Sequence, residues 1–326
     1  MGKTLLIIGN GFTKDLLEHI DLKIDASSPF LFDVPDPFDS GSKLLDRLNY
    51  IKDFTEINLG KTEFEKINSF LKSYDENNEK KVQELTQLRH YVTLAYAYIS
   101  LKIFERWKKV SHQKSIWRWE KWIKKNHHEL SGIVSLNYDT GLEMALCKLA
   151  QWEKLDLDYY RIGSTENFHQ NKISNGIPTQ VTITQTQKYI RNGIPIFKPH
   201  GSCDFDLPSR LISVPPRSRL TSLIYMNNFI IDGYGLVEVV LPGNLMTPRT
   251  QVDVVLPGEV SKQTDLMWVK QGFQAIKQIA NSVDTCIIVG ISYQPCDRPE
   301  IDSIIDNLPS NTKIRLITPS PNPAFE

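Results

Sequence analysis

Short apolar runs that end abruptly in turn residues constrain this chain most. Lys3 to Ile8 is such a run and is followed at once by Gly9-Asn10-Gly11. Gly132 to Leu136 ends in Asn137-Tyr138-Asp139. Val252 to Leu256 and Thr285 to Val289 stop at proline and glycine, and Lys313 to Ile317 precedes Thr-Pro-Ser. Runs this short, rich in Ile and Val, fit strands buried on both faces of a parallel sheet, whereas half-exposed strands would alternate. Helical patterns lie between them. Thr140 to Leu149 is one, and Leu266 to Ala280 is another, with Leu266, Val269, Phe273, Ile276 and Ala280 on one face. Strand and helix in alternation predict an α/β, doubly wound, mostly parallel sheet.

Breakers set the domain plan. Of 18 prolines, only those at 29, 35 and 37 precede Pro178, and Gly60 is the one glycine between Ser42 and Ser131. Such a stretch sustains helices, and the spacing of Leu94, Ala97, Leu101 and Phe104, and of Ile116, Trp119 and Ile123, agrees. Residues 42–131 therefore read as a helical insertion, 27–41 as a loop or lid leading into it, and 1–41 with 132–326 as the sheet domain. Residues 180–197 alternate around Asn192-Gly193, a hairpin signal.

With 326 residues the chain has length for about two domains, or for one with an insertion. Its 38 basic and 38 acidic side chains cancel, which removes any global electrostatic reason to bind nucleic acid or an anionic membrane. Residues 102–128 concentrate nine Lys or Arg and four of the six tryptophans. Basic residues interleaved with aromatics can bind nucleic acid, but the favoured reading is a helix with Trp packed inward and lysines in water. His127-His128 reads as surface. The cysteines at 147, 203, 286 and 296 form no C-x-x-C, so a zinc ribbon is not expected and a reducing, cytoplasmic setting is. No apolar run is long enough for a membrane helix. Leu5 to Ile8 is too short for a signal-peptide core and reads as strand.

Ligands of open parallel sheets sit at the carboxyl ends of strands. The sets to weigh are Gly9-Asn10-Gly11-Phe12, Asn137-Tyr138-Asp139, His200-Gly201-Ser202, Gly290-Ile291-Ser292 and Thr318-Pro319-Ser320. Glycines let backbone approach phosphates, and a following helix offers free N–H groups. Singly, each set has a plainer reading. G-N-G-F falls short of G-x-G-x-x-G and serves as a tight strand-to-helix turn. Asn137 and Asp139 serve as helix caps, and most lone loop histidines are structural.

The ordered set is more specific. IIGNGFT, VSLNYDTGLE, KPHGSCDF, VDVVLPGEVS, IIVGISYQPCD and IRLITPSPNP, in that order, resemble the sirtuin-like NAD-binding family over nearly the whole chain outside the insertion. The opening LLIIGNGF is also similar to that of AbiH-type abortive-infection proteins. The resemblance implies a Rossmann-like sheet that takes NAD+ as substrate. Catalytic residues would be Asn137, His200 and Asp139. Cofactor contacts would be Gly9, Asn10, Gly11, Phe12, Thr13, Asn137, Gly201, Gly290, Ser292 and Pro319. The zinc-binding C-x-x-C pairs of the deacylases are missing, no metal is expected, and LLEHIDLKID stands where those enzymes carry S-G-I-P-D-F-R. That shifts the expectation from deacylase to the zinc-less bacterial branch resembling NAD glycohydrolase effectors of phage defence. Such a protein would work as a homo-oligomer or with a defence-system partner. A non-catalytic NAD or ADP-ribose sensor is the alternative, and a protein deacylase or ADP-ribosyl transferase the third possibility.

Overall fold

The computed structural model describes residues 2–24, 34–36, 39–51, 67, 70–75, 77–110, 116–151, 153–157, 159–162, 193–206, 238–239, 254–256, 267–295 and 297–319. Among them, six strands form one all-parallel sheet: β1 (Thr4–Ile8), β2 (Leu130–Ser135), β3 (Tyr159–Arg161), β4 (Ile194–Phe197), β7 (Thr285–Val289) and β8 (Lys313–Ile317), in spatial order β3-β4-β2-β1-β7-β8. A two-stranded antiparallel pair, β5 (Phe205–Asp206) and β6 (Glu238–Val239), lies apart from it. The helices are α1 (Asn10–His19), α2 (Leu44–Arg47), α3 (Glu79–Val110), α4 (Arg118–Asn126), α5 (Gly141–Gln151), α6 (Met267–Ala280) and α7 (Arg298–Ile305).

Because strand side chains alternate, each strand feeds two cores. Leu6, Ile8, Ile133, Ile196, Ile287 and Val289 belong to one apolar cluster, with α1, α3, α4 and α5. Leu5, Ile7, Val134, Phe197, Cys286 and Ile288 belong to the other, with α6 and α7. Both faces are covered over the interior strands, as all-parallel sheets require, and the doubly wound α/β architecture expected from the strand pattern is the one observed; the edge strand β8, expected to be buried, is instead largely exposed, with Ile314 and Ile317 open to solvent. Helix α6 lies especially close to β4: a Cβ on Gly272 would sit 2.0 Å from the Phe197 ring.

The helices of 42–131 share the first cluster with the strands. Tyr91, Ile99, Trp117 and Ile123 are buried in the same cluster as Leu6 and Ile8. Trp107, Trp117 and Trp119 are at most 6% exposed, so they point inward as the helical spacing suggests. Some of the basic residues beside them are paired within the chain, among them Arg106 with Asp21, Arg118 with Asp15 and Lys124 with Glu153.

One segment differs from the expected strands, and part of another lies outside the described residues. Val254 to Leu256 is buried but outside the sheet, and Val254 makes a single antiparallel bridge to Gly201. An apolar run reads alike whether it enters a sheet or lines a covered loop. The interior position is taken by Ile194–Phe197, which runs parallel to both β2 and β3. Residues 180–192, the first limb of the expected hairpin, lie outside the described residues.

Candidate functional site

From β1 the chain moves outward to β2, on to the edge strand β3 and back to β4 between them, and then returns to the other side of β1 as β7 and β8. The direction reverses between β1 and β7, and the crevice at such a switch point is where ligands enter these sheets. Here the two strand ends touch. Gly9 N–H donates to the Val289 carbonyl and Gly11 N–H to that of Gly290, each at 2.9 Å. A Cβ on Gly11 would fall 2.5 Å from the Gly290 Cα, and Gly290 itself has φ +58°. Close backbone contact between the turns is what demands these glycines. The amides of Gly9 and Gly11, which the resemblance makes cofactor contacts, are thus engaged by the end of β7 and the turn after it. Phe12 is buried against Trp117 and Trp119, with ring centroids 4.8 and 5.6 Å away. Asn10 is half-buried at the start of α1.

The next strand end supplies a hydrogen-bonded chain. Asn137 donates through Nδ2 to the Gly9 carbonyl and to Thr13 Oγ1, both at 3.0 Å. Thr13 Oγ1 donates in turn to Asp139 Oδ2 at 2.7 Å. Asp139 Oδ1 accepts the Gly141 N–H at 2.9 Å and so also caps the start of α5. The capping role and the inter-strand role coexist in one carboxylate. Burial pushes the Asp139 carboxyl above the usual carboxylate range, against the pull of Lys198 and its two donors.

His200 sits in the turn after β4, closed by Gly201 at φ +76°. It is 2% exposed and stacks on Tyr138 at 5.6 Å. Nδ1 lies 3.1 Å from the Leu136 carbonyl, and the Cys203 N–H donates to the Tyr138 carbonyl. The His200 turn is thereby fastened to the Asn137 turn. Residues separated by more than 180 positions thus converge: Gly9 and Thr13 after β1, Asn137 and Asp139 after β2, His200 after β4. Ser292 and Pro319 are both exposed, and Pro319 follows the edge strand β8.

No protein-family model matches this chain, and no curated protein matches it.

Three buried charges were not read from the sequence. Lys198, 1% exposed, donates to the Asp139 carbonyl at 2.6 Å and to Glu143 Oε1 at 3.0 Å. It clamps the 137–139 turn from beneath, and a buried ion pair of this kind loses most when one partner is removed. The third, Glu300 of α7, lies 2.7 Å from His200 Nε2 through Oε2. A lysine inside the apolar run IPIFKPH was the available signal for the first, since a charge there needs a buried partner. Glu300 carried none beyond Asp297-Arg298-Pro299, a helix start. Among the described residues, no group of three or more His, Cys, Asp or Glu side chains is arranged to hold a metal ion. No helix among them is long and apolar enough to cross a membrane.

Proposed function

We propose that this chain is an NAD+ glycohydrolase, splitting the nicotinamide–ribose bond to give nicotinamide and ADP-ribose. The observation that carries the reading is the convergence of Thr13, Asn137, Asp139 and His200 at the carboxyl ends of β1, β2 and β4, beside the switch point. Nicotinamide leaves as a neutral base, so the reaction asks little of a nucleophile. It needs a held ribose, stabilisation of an oxocarbenium-like centre and a positioned water. Both amide hydrogens of Asn137 are committed to Gly9 and Thr13. Its oxygen is what it offers to a water or a ribose hydroxyl. His200 is the acid–base group. The buried carboxylate of Asp139 orients Asn137 through Thr13 and adds negative potential near the developing cation.

The sirtuin-like resemblance extends this to a cytoplasmic effector of phage defence that acts by abortive infection, as a homo-oligomer or with a defence-system partner. The test is to express wild type and His200→Ala in cells and follow NAD+ and growth. Wild type is expected to deplete NAD+ and arrest growth, and the variant to do neither; equal NAD+ in both cultures contradicts the reading. The closure of His200 by Glu300 favours one other reading, a sensor that binds NAD+ or ADP-ribose without turnover. It is told apart by NAD+ raising the melting temperature of the purified protein with no nicotinamide formed.

A further inference from the structure

His200 is held from both sides. The Leu136 carbonyl only accepts, so Nδ1 carries a hydrogen in every protonation state. Nε2 faces Oε2 of Glu300 at 2.7 Å, off the line of an ideal hydrogen bond, so charge more than direction holds the pair. The two side chains are 3% and 4% exposed. A neutral imidazole would spend its single N–H on Leu136 and turn a bare lone pair towards a carboxylate. The contact is favourable only with a second proton between Nε2 and Oε2.

We propose that Glu300 is a positioning residue whose carboxylate fixes the ring orientation and the charge of His200, so that His200 rests as an imidazolium. This rests on His200 being the acid–base group of the proposed function. Proton exchange at His200 then runs through Nε2 alone. A ribose hydroxyl meeting Nε2 gives up its proton there only after the pair has lost its own proton to solvent, and cleavage therefore speeds up as pH rises through the titration of the pair.

The surroundings agree with this assignment. Asp297, just before α7, adds negative potential from the same side. The Tyr138 ring stacks on the imidazole while its hydroxyl donates to the Val255 carbonyl at 2.7 Å. Lys198 is turned to Asp139 and Glu143. Val254 to Leu256, which meets the His200 backbone, carries no titratable side chain. Burial alone would lower the imidazole's pKa, but Glu300, Asp297 and the Leu136 carbonyl together override it and push His200 up to about 9. Helix α7 is itself anchored: the Tyr293 hydroxyl donates to Asp302, and Arg298 Nε donates to the Tyr293 carbonyl at 3.2 Å.

The test is nitrogen NMR of full-length protein labelled with 15N-histidine. The chain has seven histidines, and the His200 signals are identified as those lost in His200→Gln. In wild type both ring nitrogens of His200 should be protonated at pH 7 and titrate well above the ordinary histidine range. In Glu300→Gln the titration should fall by roughly one to three units, and Glu300→Asp should restore part of the shift. A wild-type His200 already neutral at pH 7, or a folded Glu300→Gln with an unmoved titration, overturns the proposal. If Glu300→Gln does not fold, the wild-type spectrum decides alone. Failure to hydrolyse NAD+ leaves these shifts untouched, so the two ideas fail separately.

Discussion

Inside the site, several buried polar side chains are held by partners distant in sequence. Thr13 shows why this matters. Its hydroxyl accepts from Asn137 and donates to Asp139, so it joins an amide to a carboxylate that otherwise would each be left short of a partner. An unsatisfied buried group costs about 1–3 kcal/mol, which makes the threonine hydroxyl a structural need as well as a site feature. The His200–Glu300 pair has a consequence for stability. The folded-state pKa of His200, about 9, stands above the unfolded value near 6.5. The stabilisation is therefore fully present below pH 6.5 and is lost as pH rises through 9. Thermal melts from pH 6 to 10 should show wild type losing stability across that window more steeply than Glu300→Gln; parallel curves would count against the pair.

At the level of elements, the glycine turns at the ends of β1 and β7 set how near the two strand ends come. Gly11→Ala drives a Cβ to within 2.5 Å of the Gly290 Cα, where the nearest atoms are all Gly290 backbone rather than the end of a flexible side chain. A loss of roughly 1–3 kcal/mol is expected from such overpacking, read as a lower denaturant midpoint, whereas Lys14→Ala on the exposed side of α1 should change it by no more than about 0.5 kcal/mol. Equal midpoints would show that the turn has room to spare. Much at this level was legible in the sequence: burial on both faces leaves an unbroken apolar run with a turn residue at its end, as in Thr285 to Val289, whereas the edge strand Lys313 to Ile317 is largely exposed and was legible from its Ile and Leu and the Thr-Pro that stops it. Thr285 to Val289 and Lys313 to Ile317 matched to the residue. Val252 to Leu256 misled because a covered loop is as apolar as a strand. Of the hairpin expected around Asn192-Gly193, the second limb, Ile194–Phe197, is strand β4, and the first limb lies outside the described residues.

Across the whole molecule, the sheet does for the site what local sequence cannot. Asn137 and Asp139 were legible because they end a strand, and His200 because a Gly follows it. Glu300 was not, because its partner lies 100 residues away and only the packing of α7 against the second face brings them together. The balanced charge of the chain also takes on meaning at this scale. Arg118 and Lys124 of the tryptophan-rich stretch are matched by acids of α1 and of the segment after α5, and its tryptophans pack into the core beside the sheet. Trp117, for example, donates to Asp15 at 2.7 Å.

The most direct measurement is chromatography of NAD+ incubated with purified protein, comparing wild type with Asn137→Ala and His200→Gln, each checked for wild-type circular dichroism. Nicotinamide and ADP-ribose should accumulate in equal amounts with wild type and fall by about 10²-fold or more in both variants. Intact NAD+ with wild type, or equal nicotinamide release from all three folded proteins, would contradict the assignment of a hydrolytic site to these strand ends.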